Sequence, residues 1–436
     1  MSKAAGPEDG CAAKKQIARE LFASWPGSET RSSISVFGAV DEQQYQPTLI
    51  QLVPFRTAEP SGVADYALAL ARALRAYRGA NSVFLSGTPS VDATPVEDDW
   101  KTVCVPKRQA QILADTVQLL STETNARAVV LHFSGYGYQE RGVPAWLVQG
   151  LQIWSRRAGR VPLLTIFHEL YASGRPWQSA FWVSPLQKQI ARSILKLSSA
   201  AITTTDLHRK RLSEWRDGDA TKITAMPVFS NVGEPGCGCA PCTRTAAAVV
   251  FGLVGVENVI FGIYRSEVER IISALGIEKI FDVGPRLSAM PRTLAGAPVI
   301  SKGVLPRGAV SELLQRARFG FVAYPPDFIA KSGVFAAYAA HGVVPIVLSD
   351  KRGAFDGWPH FRHALARSSS SGSVTQYGAF PLRPDRHFLD GLRLGTGAGA
   401  EDLASMQCKL FTWYTSHSLK VQAEFLANSI RALRCN

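Results

Sequence analysis

RAVVLHFSGYGYQERGVPAWLVQGLQIWSRRAGRVPLLTIFHEL, residues 127–170, holds the pattern that decides the fold. Arg127–Phe133 is a short apolar run without helical period and reads as a buried strand. Val143–Arg157 carries apolar residues at helical spacing, and Pro162–His168 (PLLTIFH) is a second apolar run. Strand, helix, strand is one βαβ unit, which makes its two strands parallel.

The alternation extends in both directions. Upstream lie a strand at Thr48–Phe55 (TLIQLVPF), a helix at Ala64–Tyr77, a strand at Asn81–Gly87 and a helix at Gln109–Glu123. Downstream come a helix at Gln187–Ser198 and a strand at Ala200–Thr205. Together they predict a parallel, doubly wound sheet. Ser230–Thr245 (SNVGEPGCGCAPCTRT) has no period and is rich in Gly, Pro and Cys, so it reads as an interdomain linker. The alternation then restarts with strands at Ala247–Leu253, Lys279–Val283, Pro298–Lys302, Phe319–Tyr324 and Val344–Leu348. Helices fall at Val259–Leu275, Val310–Ala317 and Ser332–Ala340, and Leu403–Leu433 is a helical tail with one or two breaks.

The predicted class is therefore α/β, with two Rossmann-like parallel-sheet domains. The expected bounds are a poorly ordered lead-in over 1–46, a first domain over 47–229, a linker over 230–245, a second domain over 246–402 and a terminal helix over 403–436. Ligands of open α/β sheets sit beyond the carboxyl ends of the strands, so two such mouths share one cleft.

Composition bounds the function. The 436 residues are 46% hydrophobic and 19% charged, enough apolar side chain for large cores. A net charge of +13 favours anionic partners. No apolar run reaches the length of a membrane span, residues 1–46 lack the apolar core of a secretory signal, and seven cysteines, an odd number and mostly scattered, fit a reducing cytoplasm.

The candidate site residues follow strands. Gly62 lies in the loop before the first helix, where backbone can approach an anion at a helix N-terminus. His168 and Glu169 end an apolar strand: the His can hydrogen-bond a hydroxyl or stabilise developing charge, and Glu169 can accept a proton or orient it. Lys331, Ser332 and Gly333 open a helix after the Phe319–Tyr324 strand, a physically sensible diphosphate site. Tyr136, Tyr138 and Arg141 lie in an aromatic loop after a strand, where Tyr faces stack on sugars or bases. Lys188, Arg192 and Lys196 recur every four residues on one helix face, either a solvated face or one that docks on anionic lipid.

Metal signals are weak. Cys237, Cys239 and Cys242 are close enough for zinc but lack a fourth ligand, unless His208 or Cys11 folds back. Asp217-Gly218-Asp219 sits in a helix-to-strand loop rather than after a strand. No G-x4-G-K-[ST] loop, G-x-S-x-G elbow or H-E-x-x-H is present. No metal and no cofactor is expected.

Three stretches in order, GVADYALALARAL, LLTIFHEL and KSGVFAAYAAHGVVPIVL, make the chain resemble the GT-B glycosyltransferases, in particular their family-4-like (group 1) branch. The resemblance covers about Thr48 to Asp350. It implies two domains facing across a cleft, a terminal helix that crosses back to the first domain, and hexosyl transfer from a nucleotide-diphosphate sugar. By the same resemblance Gly62 approaches the donor phosphate or the acceptor, His168 faces the transferred sugar, and Lys331, Ser332 and Gly333 border the diphosphate. The acceptor side would hold Tyr136, Tyr138 and Arg141.

Two departures stand out. The family pattern has two glutamates eight residues apart, where this chain has Ala330 and Tyr338. It also has Arg and Lys after the first strand of the second domain, where this chain has no basic residue from Leu253 to Tyr264 and Arg265 comes late. The expected function is sugar transfer without a bound metal, to an unknown sugar, lipid or protein acceptor. The expected place is cytoplasmic, with peripheral contact to an anionic membrane at its inner face left open. Nucleic acid is not an expected partner, because the positive charge is spread out and no recognition motif appears. The rival readings are a catalytically silent module that binds a nucleotide sugar or scaffolds a partner, and an epimerase or phosphorylase on the same fold.

Overall fold

The computed structural model describes residues 47–54, 62–87, 100–157, 161–172, 174, 177–216, 223–235, 244–252, 255–285, 290–349, 364–367, 374–377 and 397–435. The expected lead-in, the loop at Arg56–Ser61, Asp217-Gly218-Asp219 and Cys237, Cys239 and Cys242 lie outside the described residues.

The first sheet has seven strands: β1 (Thr48–Val53), β2 (Asn81–Ser86), β3 (Thr102–Cys104), β4 (Ala128–Phe133), β5 (Leu163–Phe167), β6 (Ala200–Thr203) and β7 (Ile223–Ala225). Their order is β3-β2-β1-β4-β5-β6-β7, and all neighbours are parallel. All six residues of β4 are buried, as an apolar run covered by helices on both faces requires. The strand order reverses between β1 and β4, which opens a crevice at their carboxyl ends. The covering helices are α1 (Gly62–Arg78), α2 (Ala110–Glu123), the single turn α3 (Gly135–Tyr138), α4 (Ala145–Arg157), α5 (Ser179–Leu197) and α6 (Asp206–Trp215).

The second sheet contains β8 (Thr245–Phe251), β9 (Lys279–Val283), β10 (Thr293–Leu294), β11 (Ala297–Gly303), β12 (Ala317–Ala323) and β13 (Val344–Leu348). Its order is β10-β11-β9-β8-β12-β13, parallel except for the β10–β11 hairpin. The reversal recurs between β8 and β12. The helices here are α7 (Arg265–Leu275), α8 (Arg307–Arg316) and α9 (Gly333–Ala340), followed by the terminal pair α10 (Gly397–Thr415) and α11 (Leu419–Cys435). The tail therefore has a single break, at residues 416–418.

The terminal helix crosses back to the first domain. Tyr66 of α1 donates its hydroxyl to Gln422 Oε1 at 2.5 Å, and Arg78 pairs with Glu424 at 3.7 Å. One apolar cluster runs from Leu70 and Ile166 through Phe229 to Phe335 and Tyr338, and on to Leu410 and Leu426. The halves and the terminal helices thus share one core.

Several local expectations are corrected. The Ser134–Tyr138 stretch is not an open loop but a cap residue and one helical turn. Helix α5 begins at Ser179 rather than Gln187, and Pro185 lies inside it although proline lacks the donor a helix interior uses. The helix expected over Val259–Leu275 is interrupted by a π-helical turn at Val259–Ile263. Ile260 and Phe261 of that turn are both buried in the core of the second domain. Among the described residues no helix is long and apolar enough to cross a membrane.

Candidate functional site

The carboxyl ends of β1, β4 and β5 converge on one cavity of about 290 Å³. Pro54, Gly62, Tyr66, Ser134, His168 and Glu169 line it from the first domain, and Lys331 lines it from the second. Gly137 also borders it: a Cβ there would come within 2.8 Å of Pro54, so only glycine lets the α3 turn lie this close to β1.

His168 is oriented by a buried polar chain. Gln51 turns its amide nitrogen to Ser82 Oγ (3.4 Å), which leaves its carbonyl to accept from His132 Nε2 (2.8 Å). His132 Nδ1 is then an acceptor, and His168 Nε2 donates to it at 3.3 Å. The remaining nitrogen of His168, Nδ1, keeps its lone pair. Tyr66 packs edge-on against the His168 ring with centroids 5.0 Å apart. Burial first, and then the Lys331 charge, push the His168 imidazole down to about 3. Burial first, and then His168, lower His132 as well. At neutral pH His168 is therefore uncharged. It is suited to accept a hydrogen bond from a hydroxyl, and it supplies no positive charge of its own.

Glu169 stands half-exposed at the mouth. Ser134 Oγ donates to its Oε2 at 3.2 Å, and its Oε1 lies 4.0 Å from Lys331 Nζ. Lys331 ends the 3₁₀ turn Pro326–Lys331 that follows β12, and its side chain is 19% exposed. Burial lowers the lysine, and Glu169 pulls it back up. The Ser332 hydroxyl accepts from Phe335 N at 3.1 Å, so it caps α9. Gly333 sits against Asn231 in the segment that joins the domains; a Cβ there would lie 3.3 Å from that side chain. The backbone N–H of Val228 donates to Ala330 O at 2.9 Å, which ties the same segment to the lysine turn.

Other expected residues are placed elsewhere. Tyr138 is fully buried, with its hydroxyl on the carbonyls of Leu52 and His132, so its ring face packs in the core and is not offered to a ligand. Tyr136 is 45% exposed. Arg141 is exposed and uses its carbonyl to accept from Gln187 Nε2 at 2.9 Å. Arg265 starts α7 and pairs with Glu269 at 3.0 Å, away from the cavity lining. Around Gly62 a Cβ would meet nothing within 4 Å, so the space there is open.

The structure adds residues that the sequence reading passed over. His132 was read only as part of a strand, and His208 only as a remote zinc ligand. His208 lies on α6 with its ring 5.9 Å from Phe328; burial first, and then Lys331, push it down to about 4. Two carboxylates occupy the mouth of the second sheet. Glu257 is buried and accepts from Gly255 N at 3.0 Å, and Asp282 near the end of β9 is buried too. A period-2 or period-3.6 pattern carries no signal for such isolated polar positions. Among the described residues no group of three or more His, Cys, Asp or Glu converges as a metal site.

No family profile and no curated protein matches the chain by sequence. Solved structures do match by shape. A glycosyltransferase from Rickettsia africae ESF-5 superposes with a TM-score of 0.53 at 12% identity, over 89% of this chain and 99% of that one. An alpha-glucosyltransferase in complex with UDP-glucose and DNA containing an abasic site gives 0.52 at 10% identity, over 88% and 99%. One in complex with UDP and a 13-mer DNA gives 0.50 at 9% identity, over 89% and 100%. The fold is GT-B. Identities this low carry the architecture and nothing finer. In that architecture the cavity between His168 and Lys331 lies where the carboxyl ends of the two parallel sheets meet.

Proposed function

We propose that this chain is a glycosyltransferase that takes a nucleotide-diphosphate sugar in the cleft between its domains and uses no bound metal. The observation that carries the reading is the convergence of Lys331 from one domain with His168 and Glu169 from the other on a single cavity. A buried ammonium facing one carboxylate at 4.0 Å is incompletely neutralised. A diphosphate there would complete it, and the lysine would stand in for a divalent cation on the leaving group. His168, held neutral, would accept a hydrogen bond from a sugar hydroxyl. Closure of the domains would keep water from the donor.

Two of the solved structures of this shape, both alpha-glucosyltransferases, hold UDP or UDP-glucose, which makes uridine nucleotides the first donors to test. The acceptor is proposed to be a sugar, lipid or protein. DNA belongs in the same panel, because those relatives were captured with it. The test is a transfer and donor-hydrolysis assay over UDP- and GDP-sugars with EDTA present. Turnover that persists in EDTA supports the reading, and turnover restored only by a divalent cation removes its metal-free part. Ala330 and Tyr338, both buried where the resembling family has glutamates, favour one second reading: a silent module that binds the donor without turnover. Tight binding with no product would select it.

A further inference from the structure

Helix α5 carries an exposed face with two chemistries in sequence. Trp177 just before it is 75% exposed, and Phe181, Trp182 and Leu186 on it are 41%, 70% and 57% exposed. Large apolar side chains this exposed and this close together exceed what a solvated surface needs. Phe181 and Trp182 pack edge to face, with centroids 5.3 Å apart, so the patch is organised rather than a scatter of side chains. Further along the same helix come Lys188, Arg192 and Lys196. Lys188 lies 4.6 Å from the Tyr171 ring and Arg192 lies 5.1 Å from the Trp215 ring. Aromatic rings thus hold both charged heads in place, and neither residue has an acidic ion-pair partner among the described residues. The opposite face, with Ile190, Ala191, Ile194 and Leu195, is buried in the first domain.

The geometry points to this face as a docking surface for an anionic lipid bilayer. Tryptophan and phenylalanine partition into the headgroup boundary, and lysine and arginine on the same face meet lipid phosphates. The overall charge of +13 adds long-range attraction of the same sign. The helix also adjoins the cleft: Gln187 accepts from Ala172 N at 2.7 Å, four residues past His168. Docking therefore brings the lip of the cavity to the membrane surface. If the transfer reading holds, which this last step rests on, a lipid-borne acceptor is the class to test first.

The experiment is sedimentation of the full chain with vesicles of phosphatidylcholine alone and with vesicles of equal parts phosphatidylcholine and phosphatidylglycerol, each at low and high salt. The anionic vesicles are expected to bind the protein, more weakly at high salt, and the neutral ones to bind it poorly. The double variant Trp177→Ser with Trp182→Ser is expected to bind anionic vesicles on the order of tenfold more weakly. UDP titration of the variant by calorimetry reports separately on the cleft, so failure of docking and failure of the donor reading are distinguishable. Equal sedimentation of variant and wild type, or no binding to anionic vesicles, overturns the proposal. A wild-type dimer that the double variant converts to a monomer also overturns it, because the patch is then a protein interface.

Discussion

Lys331 and Glu169 meet across the cavity mouth at 4.0 Å, and the lysine is the more buried of the two. A hydrogen bond to a charged group contributes about 1.5–3 kcal/mol, so Lys331→Ala should weaken nucleotide-diphosphate binding by about ten- to a hundredfold. Circular dichroism should show an unchanged fold. Glu169→Gln removes the competing carboxylate and should leave binding equal or tighter, which the same titration reads. His132 acts one layer behind His168. In His132→Leu the Gln51 carbonyl is left buried without its donor, a loss of about 1–3 kcal/mol in urea unfolding. The buried imidazoles also set a pH dependence. His168, His208 and His417 are held down to about 3, 4 and 3, mainly by burial. In the unfolded chain each takes a proton below its ordinary value near 6.5, while in the folded chain each stays neutral. Stability is therefore full above that value, falls as pH drops below it, and levels off only below the folded values. At pH 5 each group should cost ~2 kcal/mol, visible as a falling Tm between pH 7 and pH 5.

At the scale of elements, the parallel strands were legible because burial on both faces writes them as continuous apolar runs. β4, β5 and β13 fall within a residue or two of the runs that announced them. What escaped the sequence was written in weaker terms. Helix α6 buries only Leu212, so it has almost no apolar stripe, and its start rests on the Thr205 hydroxyl accepting from His208 N. β3 and β7 have three residues each, too few to show a period. The ends of strands pointed to His168, Glu169 and Lys331, which line one cavity, but Tyr138 could not be told from a ligand-facing aromatic until its hydroxyl was seen on two core carbonyls. Tyr338 on α9 is a packing element. The Tyr338 hydroxyl reaches the carbonyls of Val249 and Phe321, and its ring fills the space beside Gly320 on β12. A Cβ at Gly320 would lie 2.5 Å from that ring. Gly320→Ala should accordingly destabilise by about 1–3 kcal/mol through overpacking, as measured by denaturant midpoint at constant m.

Across the whole molecule, the terminal helices act as a strap over the joint between the domains. Gln422 accepts from Tyr66 of the first domain and donates to Pro227 O and His417 O, both at 2.8 Å. Glu234, beyond β7, accepts from the Tyr414 hydroxyl and from Leu419 N. Arg307 of α8 reaches Asp65 of α1 at 3.4 Å, a second tie between the halves. This strap fixes how Lys331 is presented to His168 and Glu169, so cleft chemistry and terminal packing are coupled. The claim that rests on all of it is that the shared cavity is a nucleotide-diphosphate site. Its most direct test is calorimetric titration of UDP and GDP into the full chain and into Lys331→Ala, with EDTA present. Saturable binding of at least one nucleotide to the wild type, weakened about tenfold or more in the variant, is the predicted result. Binding of neither nucleotide, or equal binding by both proteins, would contradict it.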